Sequence, residues 1–579
     1  MSWPVLLNKN AGLMERDGPA GEDDDRPGPR ERPTQSQDVD RDTVDFDRLT
    51  GFLRRRGWWP ERTPTSASVG GDHRPPFGSG PRSDARRRPP GAASGRSPAE
   101  VADDAPISPD RRARLLVAGA SLTYVVLFAA WTVRNHDGLG TQAFDLGIYD
   151  QGLWLLSRFH APFVTIMGRN LFGDHTSFAL LPLVPFYWIR PSAKVLLVAQ
   201  AFAVGTSAVP AFLLAREKLR NERLAAFLAV AFLLQPVLGW TNLEQFHPDV
   251  LEIPLVLFAA YFMARERWTT FLLVLGALLL VKEDAVLAAL GFGTYIAWKH
   301  DRRVGLLTCA ASVLYAGAAF WVFLPALNGV GTLNGWRIPF GGPLGFIRTA
   351  ALHPGRVISY VFVEDRMWYV WQLFAPVALV ALLAPSALLI AAMPLGANAV
   401  STFLYQYNIH YHYSTMVAPL IMVATILGIA DFGRTMNERR NLVLLVLGAA
   451  VVTAHLWGPT PIGRDEFSPA NPHSAQAASV REAIRMVPGQ DSISAMYNWV
   501  PQVDHRKEVY VFPTPWKAAY WGTFTQEGQR LPIADRVEWV LLPTQLDPEP
   551  KAVLDTIRSD FESVYEKDGV MLLHRRGAT

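Results

Sequence analysis

The side chains with the most chemistry to offer in this 579-residue sequence lie in short clusters between long apolar runs. The first is Phe144-Asp145-Leu146-Gly147-Ile148-Tyr149-Asp150-Gln151, which opens a stretch ending at His160. At helical spacing Phe144, Ile148, Trp154 or Leu155 and Phe159 fall to one side while Asp145, Gln151 and Arg158 fall away. This is the pattern of a helix lying along a membrane surface. Carboxylates held between water and an apolar layer have tunable pKa values and suit general acid/base work. Asp145 and Asp150 are five positions apart, about 140° around an ideal helix, so they cannot both address one reacting atom. Asp145, in the first turn, is the expected general base. An interfacial anchor with Asp145 as N-cap would use the same residues.

Glu244-Gln245-Phe246-His247-Pro248-Asp249 sets Glu244 and His247 three apart, a spacing that suits one divalent metal or one hydrogen-bonded pair, with Asp249 just beyond. A polar turn closed by Pro248 is the alternative. Lys282-Glu283-Asp284 interrupts an apolar hairpin whose arms, at about 14 residues or about 21 Å each, fall short of a hydrocarbon core about 30 Å thick. Charges at that depth must pair or line a cavity, unless the lysine and a carboxylate only hold the hairpin together. Asp174 and His175, and His410 and His412 within the tyrosine-rich run 405–413, complete the candidate substrate-binding set with His247, Asp249, Lys282, Glu283 and Asp284. Arg337, Arg348, Arg356 and Arg366 in the stretch 328–368 are cations able to hold a lipid-linked phosphate.

The elements that carry these residues follow from hydropathy and arginine placement. Apolar blocks from Leu115 to Trp457 predict about eleven spans, near 115–133, 195–215, 224–240, 250–264, 269–281, 285–298, 304–326, 369–384, 386–404, 414–430 and 442–457. Basic connectors at Arg111–Arg114, Arg216–Arg223, Arg265–Arg267, Lys299–Arg303 and Arg434–Arg440 place those loops in the cytoplasm, and hence every candidate cluster outside. Phe178 to Ile189, short and holding Pro182 and Pro185, reads as a second membrane-parallel helix. Residues 1–110, rich in Arg, Pro, Gly and Asp, read as a disordered cytoplasmic arm with no signal peptide, in which Val44 to Trp59 suits a short lipid-touching helix. Residues 458–579 predict a small extracytoplasmic α/β domain, with helices at 474–487 and 549–565 and strands near 492–496, 509–512, 537–542 and 570–573. The net charge of +3 gives no indication of nucleic-acid binding, and the one cysteine, Cys309, excludes an intrachain disulfide. No glycine-rich loop follows a strand, so no nucleotide cofactor is expected.

Together, Phe144 to Gln151, Gly173-Asp174-His175, Glu244 to Asp249 and Lys282-Glu283-Asp284 resemble the membrane family known as domain of unknown function 2079. The arrangement also resembles the GT-C glycosyltransferases, which use polyprenyl-phosphate sugars. The resemblance implies a polytopic α-helical, GT-C-like fold embedded in the cell membrane. It implies a catalytic role for Asp145, with Glu244 or Asp249 in the loop that often supplies a second acid and Asp150 as a further candidate. The expected partners are the bilayer, a polyprenyl-phosphate sugar donor, and an extracytoplasmic glycan, lipid or protein acceptor of the cell envelope. A non-catalytic transporter or flippase for a lipid-linked glycan is the other reading. The sequence departs from related transferases at Gly173-Asp174-His175, where a His-Pro-Pro often stands.

Overall fold

Backbone amides have no water to bond to inside hydrocarbon, so charge-free runs of Leu, Val, Ala and Phe close their hydrogen bonds internally as helices. In the computed structural model, which describes residues 108–330, 332, 334–464, 466–520 and 526–577, five helices are long and apolar enough to cross a membrane. They are Arg111–Asp137, Ala193–Leu219, Arg302–Asn328, His412–Phe432 and Met436–Trp457. Glu222–Leu233 and Pro236–Leu243, bent by 47°, make a sixth if counted as one span. The expected spans at 250–264, 269–281, 285–298 and 386–404 coincide with shorter helices, Glu252–Ala264, Trp268–Leu279, Val286–Lys299 and Pro385–Val400. The expected span 369–384 is not continuous. Helix Glu364–Phe374 gives way to 3-10 turns at Ala375–Val377 and Val380–Leu383, because Pro376 removes a backbone donor and Ala378 and Leu379 take positive φ. The expected arm and the helix at Val44 to Trp59 lie outside the described residues.

The basic connectors gather at one end of the bundle. Arg114 and Arg216 each lie 2.8 Å from the buried Glu222, Arg265 reaches Glu217, and Arg439 donates to the Leu219 carbonyl. The helix Arg111–Asp137 runs from that end to the other, about 40 Å away at 1.5 Å per residue.

The short strands β1, Phe163–Val164, and β2, Arg169–Asn170, pair antiparallel, and at the far end the C-terminal segment forms a five-stranded sheet in the order β4-β3-β5-β7-β6, where β3 is Ile493–Ala495, β4 Val509–Val511, β5 Trp539–Pro543, β6 Phe561–Lys567 and β7 Val570–Arg575. Strands β3, β4 and β5 are parallel and the β5-β7-β6 part is antiparallel. The helix expected at 549–565 ends at Ile557, and the remainder is β6, turned into β7 by Asp568-Gly569 with φ of 50° and 77°. One face of the sheet shares a continuous core with residues 139–197, which include the helix Ile148–Ser157, and the other face packs on Trp516, Leu554 and Ile557.

Candidate functional site

Asp145 does not begin a helix. It has φ 69° and ψ −92° inside a kink at Ala143–Gly147, and the helix starts at Ile148 with no side-chain cap. The expected first-turn or N-cap position is therefore corrected: the Ala143 amide is drawn off to the Tyr497 carbonyl, and the chain must fold back before the helix can begin. A non-glycine residue at positive φ costs of the order of 1 kcal/mol or more and is held there by its surroundings.

Those surroundings are imidazoles. The side chain of Asp145 is 40% exposed, and its Oδ1 lies 3.1 Å from Nε2 of the buried His247. The His247 ring stacks on His412 at 3.5 Å between centroids, and His412 Nδ1 lies 3.1 Å from Glu244 Oε2. Glu244 also accepts the His412 amide. Glu244, His247 and His412 bring three ligand atoms within 4.8 Å of one another, a donor set that fits a divalent metal, and neither ring nitrogen of His247 has a hydrogen-bond partner among the described residues. Burial pushes the Glu244 carboxyl up to about 8. Burial opposes a charged His247, but the carboxylates of Asp145 and Glu244 outweigh it and raise the imidazole to about 9.

The next shell is a chain of buried charge. Lys282 Nζ lies 2.8 Å from Asp249 and 3.7 Å from Asp284, so the lysine bridges two loops and its main partner is outside its own hairpin. Glu283 takes His175 Nδ1 at 2.7 Å and the Thr176 amide at 3.1 Å, and Asp174 pairs with Arg169 at 2.9 Å. This Asp174-His175 pair ends a short helix, Leu171–Asp174, and precedes the 3-10 turn Phe178–Leu183 that leads into Val184–Ile189. Lys282 and Arg337 both lie over the Tyr413 ring, at 5.7 and 5.6 Å from its centroid. His410 instead packs on Trp240, the rings tilted at 48°, and is bonded to Asn408.

Asp150 is in a different place. It is 1% exposed, accepts the Tyr187 hydroxyl at 2.5 Å and lies 3.1 Å from His505 Nε2. Of the residues expected on the solvent-facing side of its helix, Arg158 is exposed but Gln151 is not. Gln151 is fully covered and donates to Thr165 Oγ1 and the Arg506 carbonyl, because the C-terminal segment sits where water was expected.

Sequence reasoning missed Gln200, whose buried amide donates to the carbonyls of Asn242 and Gln245 and accepts the His247 amide, locking the turn that presents His247. It also missed Glu252, bonded by Thr415, and the pair Asp504-His505. A polar residue inside an apolar span was the available signal for Gln200 and Glu252. Arg366, expected among the cations for a lipid-linked phosphate, is buried between Tyr360 and Tyr407 and donates to the Ser401 carbonyl.

No curated protein matches the chain in sequence. Among solved structures it is similar to ArnT from Cupriavidus metallidurans bound to undecaprenyl phosphate, at 12% identity over 79% of this chain and 98% of that one, with a TM-score of 0.46. The apo state of ArnT gives 13% identity over 78% and 98%, with a TM-score of 0.44. The family described as "Predicted membrane protein (DUF2079)" matches residues 135–572, and the chain belongs to that family.

Proposed function

We propose that the protein transfers a sugar, with inversion, from a polyprenyl-phosphate donor to an extracytoplasmic acceptor. The observation that carries this reading is an accessible carboxylate, Asp145, held at positive φ against the buried His247, with Lys282 and Arg337 converging on the Tyr413 ring beside it. In the proposed reaction Asp145 takes the proton of the acceptor hydroxyl as that oxygen bonds to the anomeric carbon. The bond from that carbon to the phosphate oxygen breaks, and its electron pair leaves with the polyprenyl phosphate. Lys282 and Arg337 hold the phosphate and stabilise the charge that grows on it, which the low dielectric of the site strengthens. Glu244, His247 and His412 would hold a divalent ion, which when bound supplies further positive charge to the leaving group.

The bundle presents its charged loops at one end and its basic connectors at the other, which supports placing the site and the C-terminal α/β segment outside the cell. Purified protein given radiolabelled polyprenyl-phosphate sugars and envelope acceptors should release polyprenyl phosphate and label the acceptor in equal amounts. Movement of the lipid-linked sugar across vesicles without transfer would replace this reading with that of a flippase.

A further inference from the structure

The cluster around Asp150 has no part in the proposed transfer. Asp150 and Asp504 are 1% and 2% exposed, and each has an Oδ2 without a hydrogen-bond donor among the described residues. His505 Nε2 is 3.1 Å from Asp150 Oδ2, yet neither atom has a partner in hydrogen-bonding geometry. Ligands about 2.1 Å from one ion, at angles of about 95° to 110°, stand about 3.1 to 3.4 Å apart. One oxygen of each aspartate and one nitrogen of His505 all lie within 4.8 Å of one another. The outer contacts are those a ligand set needs: Tyr187 donates to Asp150 Oδ1 at 2.5 Å, fixing the carboxylate, and the His505 ring lies parallel to Trp154, at 9° and 6.1 Å.

We propose that Asp150, Asp504 and His505 form a divalent-metal site of the zinc class that clamps the C-terminal segment onto the helix Ile148–Ser157. Two carboxylates and an imidazole, with no thiolate, suit zinc.

The test uses the full chain in detergent, stripped with chelator and dialysed against zinc, with bound metal counted by mass spectrometry. Glu244→Gln with His412→Gln silences the other three-ligand cluster. That background should retain one zinc per chain, and adding Asp504→Asn or His505→Gln should weaken it by about 100-fold or more. In the unaltered chain zinc should slow tryptic cleavage of the segment after Trp457, a readout independent of any variant's folding. Equal zinc affinity with and without Asp504→Asn would overturn the proposal. So would an unaltered, folded chain that binds no zinc.

Discussion

At the residue scale, the site rests on charges that are tolerable only in company. Lys282 and Asp249 are both buried; removing Lys282 takes from Asp249 its lysine, and removing the Asp249 charge leaves Lys282 only the 3.7 Å contact with Asp284, and breaking such a buried pair typically costs about 3–5 kcal/mol. Asp249→Asn should therefore lower the melting temperature clearly, and the double variant Asp249→Asn with Lys282→Gln should recover much of the loss; additive losses in a double-mutant cycle would deny the coupling. The Asp145–His247 pair gives a pH signature in the metal-free protein. His247 is raised from about 6.5 to about 9, so its stabilising share is complete below about 6.5 and fades as pH rises through about 9. Glu244, raised from 4.5 to about 8, is kept neutral by the fold, so its share is complete below about 4.5 and is lost as pH rises through about 8. Both act in one direction. Thermal stability in chelator should fall from about pH 4.5 to about pH 9, and His247→Gln should flatten the upper part of that curve; an unchanged curve would remove the ion pair from the account.

At the element scale, the helix Ile148–Ser157 is a junction between the bundle and the sheet. Gln151→Leu strands the Arg506 carbonyl and the Ile166 amide, at about 1–3 kcal/mol for a buried group left unpaired. The C-terminal segment of that variant should be cut by trypsin faster, while Arg158→Gln should leave the rate unchanged. The amphipathic pattern of this helix was legible, but not what covers its polar side, since periodicity reports that a face is distinct and is silent on whether water or another element meets it. The strand at Phe561–Lys567 was hidden for a related reason. Its apolar spacing continued the preceding helix, although Asp568-Gly569, a two-residue hairpin signal, stood in plain view after it. Asp145 was legible as a special carboxylate, but its backbone was not, because the pull of Tyr497 on Ala143 comes from residues some 350 positions away.

At the scale of the whole molecule, hydropathy placed the helices well wherever the chain runs straight, and failed at 375–383, where Pro376 and two positive-φ residues break the path. The convergence of loops from 145, 175, 247, 283 and 412 followed from the arginines, which lie together at the opposite end. Because Cys309 is the only cysteine, its removal gives a clean background for labelling. A cysteine placed beside Arg220 should react with a membrane-impermeant maleimide only after the cell is opened, and one beside His473 should react in intact cells. The reverse pattern would invert the topology.

The central claim is that Asp145 is the base of a sugar transfer. The most direct measurement compares transfer from a radiolabelled polyprenyl-phosphate sugar by the unaltered protein, Asp145→Asn and Asp150→Asn, each checked for folding by its melting curve. The account predicts that Asp145→Asn keeps its fold and its affinity for donor while losing transfer by about 10²- to 10⁴-fold. It predicts that Asp150→Asn loses stability far more than rate per folded molecule. Near-normal transfer by Asp145→Asn, with transfer abolished in a folded Asp150→Asn, would contradict it.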